Sequence, residues 1–151
     1  MNSNWPKYFH DRLILGNPDS DSAIATLWTP MNVVAKMTDV SNVSIIGQLY
    51  TKRGINYLLR NILLNPRIKR LLLVGADLMG SGEELLDMVS KGVTLPGKVT
   101  PYQADWLDEN ISKEGIKKFF NNVEIINQIG PVSPEKISNF VNNSSSVKQW
   151  S

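Results

Sequence analysis

Two glycine-bearing loops hold most of the side chains in this 151-residue sequence that could meet a ligand. The first, Gly47-Gln48-Leu49-Tyr50-Thr51-Lys52-Arg53-Gly54, combines an amide, an aromatic ring and two cations. Arg53 stands at the start of the helix that follows, where a cation is disfavoured by the helix dipole, so it reads as a grip for a carboxylate or phosphate. The alternative for Lys52 and Arg53 is an ordinary solvated turn. The second loop, Gly75-Ala76-Asp77-Leu78-Met79-Gly80-Ser81-Gly82, follows an unbroken apolar run. Glycines there let backbone approach a ligand and aim helix N–H groups at an anion, or they merely turn a tight corner. Asp77 could accept hydrogen bonds from an amino-pyrimidine edge such as that of a pterin, or could cap the helix. Trp28 and Tyr50 project near strand ends, where flat rings stack on flat ligands or serve as plain core.

Other chemistries are excluded. The spacing of the second loop fails G-x-G-x-x-G, and no Gly-Lys-Ser/Thr follows it, so neither the dinucleotide fingerprint nor the Walker loop is present. The sequence has no cysteine, hence no disulfide, thiolate metal site or cysteine nucleophile. His10 is the single histidine and lies in an aperiodic N-terminal stretch, which makes it a surface residue rather than part of a metal site. Asp19 and Asp21 belong to the turn-forming run Gly16–Ser22 and are not a catalytic pair. With no readable nucleophile beside a base, no catalytic residue is assigned, and a cofactor-binding domain or subunit is expected rather than a self-sufficient enzyme. A net charge of +2 without like-charge blocks gives no footprint for nucleic acid. No run reaches membrane-spanning length and the N-terminus lacks the pattern of a secretory signal, so a soluble cytoplasmic protein is expected.

The elements that must position these loops follow from periodicity. Val43–Ile46 reads as a strand, and Ile55, Leu58, Leu59, Ile62 and Leu63 share one face of a helix closed by Asn65-Pro66. Leu71–Val74, apolar without alternation, reads as a strand covered on both faces, with a helix from Glu83 to about Gly92 after it. Ala23–Thr29 is a further strand stopped by Pro30, and Met31–Met37 a short helix. The stretch 99–110 gives no clear assignment. Ser112 caps a helix that buries Ile116, Phe119 and Phe120, and Val123–Ile126 is a strand. Ser133-Pro134-Glu135 opens a last helix burying Ile137, Phe140 and Val141. Repeated strand–helix units predict one domain over residues 1–151, a three-layer α/β/α fold with a mostly parallel sheet and ligand-binding loops at its carboxyl edge. Residues 1–12 and 142–151 read as flexible tails.

Gly16-Asn17-Pro18-Asp19-Ser20 leading into Ala23–Leu27, the Gly47–Ile55 stretch, Leu59–Pro66 and the Gly75–Gly82 loop together resemble the A subunit of tetrahydromethanopterin S-methyltransferase. They resemble even more the small pterin-binding domain that accompanies some thymidylate synthases. The resemblance covers residues 13–95, with a weaker echo to the end, and implies a Rossmann-like domain of one-carbon metabolism. In the methyltransferase branch it implies a corrinoid whose cobalt is ligated by a histidine in the loop similar to Gly75–Gly82. Ser81 occupies that position here, and a hydroxyl is a poor cobalt ligand. The thymidylate-synthase-associated branch is therefore expected, with a reduced pterin of the folate or methanopterin type as cofactor and a thymidylate-synthase-type enzyme as partner. Its expected contacts are Trp28, Gln48, Tyr50, Arg53, Asp77 and Ser81, with Gly47, Gly75, Gly80 and Gly82 giving backbone access and no metal bound. A corrinoid-binding methyl carrier is the alternative, and a cofactor-free interaction module the third reading.

Overall fold

The computed structural model describes residues 5–6, 13–91, 106–108 and 110–150. His10 and most of the 99–110 stretch lie outside them.

Five strands form one sheet in the order β1-β3-β2-β4-β5, with β1 Ile14–Leu15, β2 Ser22–Ala25, β3 Ile45–Gly47, β4 Arg70–Gly75 and β5 Glu124–Ile129. All neighbours run parallel except β1, which pairs antiparallel with β3 through Ile14 with Ile46 and Leu15 with Ile45. A two-residue strand carries no readable pattern, so β1 is not legible in the sequence. The helices are α1 Met31–Ala35, α2 Gly54–Leu63, α3 Ser81–Lys91, α4 Lys113–Asn122 and α5 Pro134–Trp150.

Alternation along the strands divides the core. Ala23, Ala25, Leu71 and Leu73 face Leu59 and Ile62 of α2, Leu85 and Met88 of α3, and Ile116 and Phe119 of α4. Ile24, Leu72 and Val74 face Val34 of α1 and Ile137 and Phe140 of α5. The sheet is thus covered on both sides, which is why β4 is buried throughout and reads as a continuous apolar run. Each fully buried leucine or isoleucine contributes about 1.5–3 kcal/mol, so the sheet–helix contacts supply most of the driving force.

Capping follows the residues. Ser112 accepts a hydrogen bond from Gly115 N at 3.0 Å, and Ser133 accepts one from Lys136 N at 3.2 Å. α5 continues through Asn142–Ser146, where the composition suggests a flexible tail; after Pro134 the chain has neither glycine nor proline to break the helix. Near the other terminus Trp5 is buried and donates its indole N–H to Asn61 O at 2.7 Å, so this part of the 1–12 stretch is anchored on α2. β2 is shorter than its apolar run. The chain leaves the ladder at Thr26, whose hydroxyl donates to Thr29 O, and Leu27 takes the left-handed conformation at φ 55°. That turn sinks the Leu27 side chain into the core and leaves Trp28 outside. Among the described residues no helix is long and apolar enough to cross a membrane.

Candidate functional site

Central β2 has β3 on one side and β4 on the other. The connection from β2 to β3 passes through α1 on one face of the sheet, and that from β3 to β4 through α2 on the opposite face. The loops after these strands therefore diverge, leaving a crevice at their carboxyl ends, the place where open α/β sheets bind ligands.

Hydrogen bonds tie the three loops together around Thr26–Thr29. Thr26 N donates to Gly47 O at 2.8 Å, Trp28 N to Ala76 O at 3.0 Å, and Ala76 N to Thr29 Oγ1 at 3.3 Å. The Trp28 indole donates to Tyr50 O at 3.1 Å, and the two rings meet edge to face with centroids 4.8 Å apart. Gln48 Nε2 reaches Leu27 O at 3.4 Å. Trp28 and Tyr50 nonetheless remain 36% and 45% exposed, and Leu78 and Met79 on the loop after β4 are 69% and 58% exposed. Four large apolar side chains, Trp28 and Tyr50 in mutual contact and Leu78 and Met79 on the neighbouring loop, face solvent at one sheet edge as an apolar shelf. Beside it opens a cavity of about 560 Å³, with Gly47, Gln48, Tyr50 and Arg53 among its lining residues. The structure therefore brings Gly47, Gln48, Tyr50 and Arg53 to one cavity, with Trp28 packed against Tyr50 beside it.

The second glycine loop is turned inward. Asp77 accepts from Gly82 N at 3.0 Å and Glu83 N at 2.9 Å, so its carboxylate caps α3 and matches the helix dipole. Of the two readings open to Asp77, the structure places it in the capping one. Ser81 is fully buried, and its hydroxyl donates to Leu49 O at 2.7 Å, tying this loop to the first. Gly82 is packed so closely that a Cβ would lie 3.0 Å from Ile129 Cδ1 and 3.2 Å from Leu27 Cδ1. Gly75 has φ 103°, and a Cβ there would lie 2.2 Å from Thr26 O; its role is close packing of the β2 and β4 loops. Gly80, at φ 75°, has nothing within 4 Å of its Cβ position and is the glycine of this loop that is open to an approaching ligand.

Several participants are not evident from sequence. Glu84 joins the two units by pairing with Lys52 at 3.5 Å and accepting the Trp106 indole N–H at 2.9 Å. Asn56 fastens the same segment through Trp106 O at 2.9 Å and Asp108 N at 2.8 Å. These are contacts between residues 22 to 52 positions apart, invisible to local pattern. The exposed Leu78-Met79 pair had a usable signal, since two large apolar residues within a glycine loop have no helix or strand face to bury.

On the opposite face, a second cavity of about 430 Å³ lies beneath α5. Arg70 there is buried, donates to Phe140 O at 2.8 Å, stacks 4.4 Å from the Phe140 ring and lies 3.8 Å from Glu124. Burial pulls its pKa down, opposed by the charges of Glu124 and Asp21. Arg70 thus fastens α5 to the sheet. Among the described residues no group of three or more His, Cys, Asp or Glu side chains could hold a metal ion.

A mostly parallel sheet covered on both faces, with a cavity at its switch point, defines an open-sheet α/β domain. The chain belongs to the MtrA family, the A subunit of tetrahydromethanopterin S-methyltransferase, whose sequence profile it matches over residues 1–149. It is 30% identical over 142 residues to the A subunit of the putative methyltransferase Mtx of Methanosarcina acetivorans, covering 91% of this chain and 68% of that protein. It is 28% identical over 145 residues to the second A-type subunit of tetrahydromethanopterin S-methyltransferase of Methanothermobacter thermautotrophicus, covering 89% and 74%. With the first A-type subunit of the same methyltransferase in Methanobrevibacter ruminantium it shares 29% identity over 136 residues, covering 83% of this chain and 52% of that one. These matches support the methyltransferase branch of the resemblance; the expected thymidylate-synthase partner and folate draw no support from them.

Proposed function

We propose that the chain is a cofactor-binding component of a methyl-transfer assembly working with a tetrahydromethanopterin-type carrier, and that it holds a corrinoid by one face of its ring at the carboxyl edge. The observation that carries this reading is the exposed shelf of Trp28, Tyr50, Leu78 and Met79 at the switch point of a chain of this family. Apolar surface left outside at a rigid, cross-tied edge suits the face of a large flat ring.

Axial ligation of cobalt by this loop does not fit. Ser81 stands where the resemblance implies a histidine, and its hydroxyl is buried and engaged with Leu49 O. What the chain's own residues do is position: the Thr26–Thr29 turn sets Trp28 across the loops, and Gly80 keeps the neighbouring surface low.

Gel filtration with hydroxocobalamin, read by visible absorbance, tests the proposal. Comigration of the corrinoid, with the spectrum of its free form retained because the Gly75–Gly82 loop offers no imidazole to replace a ligand, is the expected result. Failure to comigrate would overturn it. Arg53 favours a second reading, in which the same mouth takes a reduced methanopterin-type pterin with its acidic tail on the guanidinium; binding of tetrahydromethanopterin without hydroxocobalamin would select it.

A further inference from the structure

The cavity beside the shelf has a construction of its own. On the α2 face β2 offers only Ala23 and Ala25, and β3 ends at Gly47, so small residues leave space beneath Leu58 of α2. At about 560 Å³ it lies within the range of roughly 300–1,000 Å³ typical of small-molecule sites. Apolar walls hold water poorly and take up apolar guests.

Its mouth carries a cation with no occupation elsewhere. Lys52 is paired with Glu84 at 3.5 Å, whereas the guanidinium of Arg53, exposed and lining the cavity, has no hydrogen-bond or ion-pair partner among the described residues. The backbone at the start of α2 does not compete for an anion. Gly54 N, Ile55 N and Asn56 N donate to Thr51 O, Lys52 O and Arg53 O within the turn, so the guanidinium is the anion-binding group available there.

From this geometry we infer that the cavity takes a ligand with an apolar ring body and one anionic group, a carboxylate, sulfonate or phosphate, with the ring beneath α2 and the anion on Arg53. This deepens the reading of the carboxyl edge as the binding edge and does not depend on the corrinoid. Such a group belongs either to a free small molecule or to an arm of a larger ligand seated on the shelf.

The test uses two probes that differ by a single sulfonate: 8-anilinonaphthalene-1-sulfonate and neutral N-phenyl-1-naphthylamine. The wild-type chain is expected to bind the sulfonate about tenfold more tightly than the neutral probe, the worth of one charge-assisted contact. Arg53→Gln should level the two affinities, and Ala25→Leu, which fills the cavity, should weaken both. Should Ala25→Leu fail to fold by circular dichroism, the Arg53→Gln comparison still decides. Equal affinities in the wild type, or an unchanged ratio in Arg53→Gln, would overturn the inference. Hydroxocobalamin added to the wild-type complex separates the two sources: displacement of the sulfonate probe identifies an arm of the larger ligand, and simultaneous binding a free small molecule. Corrinoid absorbance is followed independently, so failure of the corrinoid reading and failure of the cavity assignment are told apart.

Discussion

The two strand–glycine–helix units look alike in sequence and are used in opposite ways. In the Gly47–Gly54 loop two side chains stay available: Tyr50 is half exposed and the Arg53 guanidinium has no partner among the described residues, and both line a cavity. In the Gly75–Gly82 loop they are consumed internally: Asp77 caps α3, Ser81 bonds to Leu49 O, and Gly75 and Gly82 make room for neighbouring loops. A glycine loop at the carboxyl edge thus has two uses, and hydrogen bonds rather than glycine count decide between them. Here the second loop is the brace that holds the first in place.

Substitutions that separate a brace from a binding loop sharpen this contrast. The largest loss is expected for Gly75→Ala, which places a Cβ 2.2 Å from Thr26 O at φ 103°. About 3 kcal/mol or more should be lost in urea unfolding, since neither the backbone oxygen nor the dihedral can yield cheaply. Asp77→Ala comes next, at about 1–2 kcal/mol for a lost cap. Asp77→Asn keeps one accepting oxygen but turns an NH2 on the second backbone N–H, so it should lose part of that stability while hydroxocobalamin binding stays near wild type; binding lost from the folded protein would make Asp77 a ligand group and break the comparison. Gly47→Ala should cost about 1 kcal/mol, because its Cβ meets only the Leu13 Cδ2 tip, which is free to shift. Lys52→Met should cost the least, about 0.5 kcal/mol in the same assay, as the Lys52 side chain in its pair with Glu84 is half exposed.

Much of the architecture was legible because it rests on local rules. The α2 face of Ile55, Leu59 and Ile62, the buried run of β4, and the Ser112 and Ser133 caps all follow from periodicity and helix-terminus chemistry. What was not legible depends on partners distant in sequence. The Ala23–Thr29 run breaks at Thr26 because Gly47 O, Ala76 O and Tyr50 O pull its turn across the sheet edge, and no periodicity encodes those acceptors. The site divided in the same way. Gln48, Tyr50 and Arg53, singled out by type and position, line one cavity, and Trp28 packs against Tyr50 beside it. Ser81 was singled out by resemblance as a contact, yet its burial follows from Leu49 O, a partner 32 residues away. The branch of the family was likewise a matter of whole-chain similarity rather than of that one position.

The most direct test of the central claim is a ¹⁵N–¹H spectrum of the wild-type chain titrated with hydroxocobalamin. The account predicts that the Trp28 indole N–H and the backbone amides of Gln48–Arg53 move most, with smaller shifts in the Gly75–Gly82 loop and none at Arg70 and α5. Shifts concentrated on Arg70 and α5, or none anywhere, would contradict it.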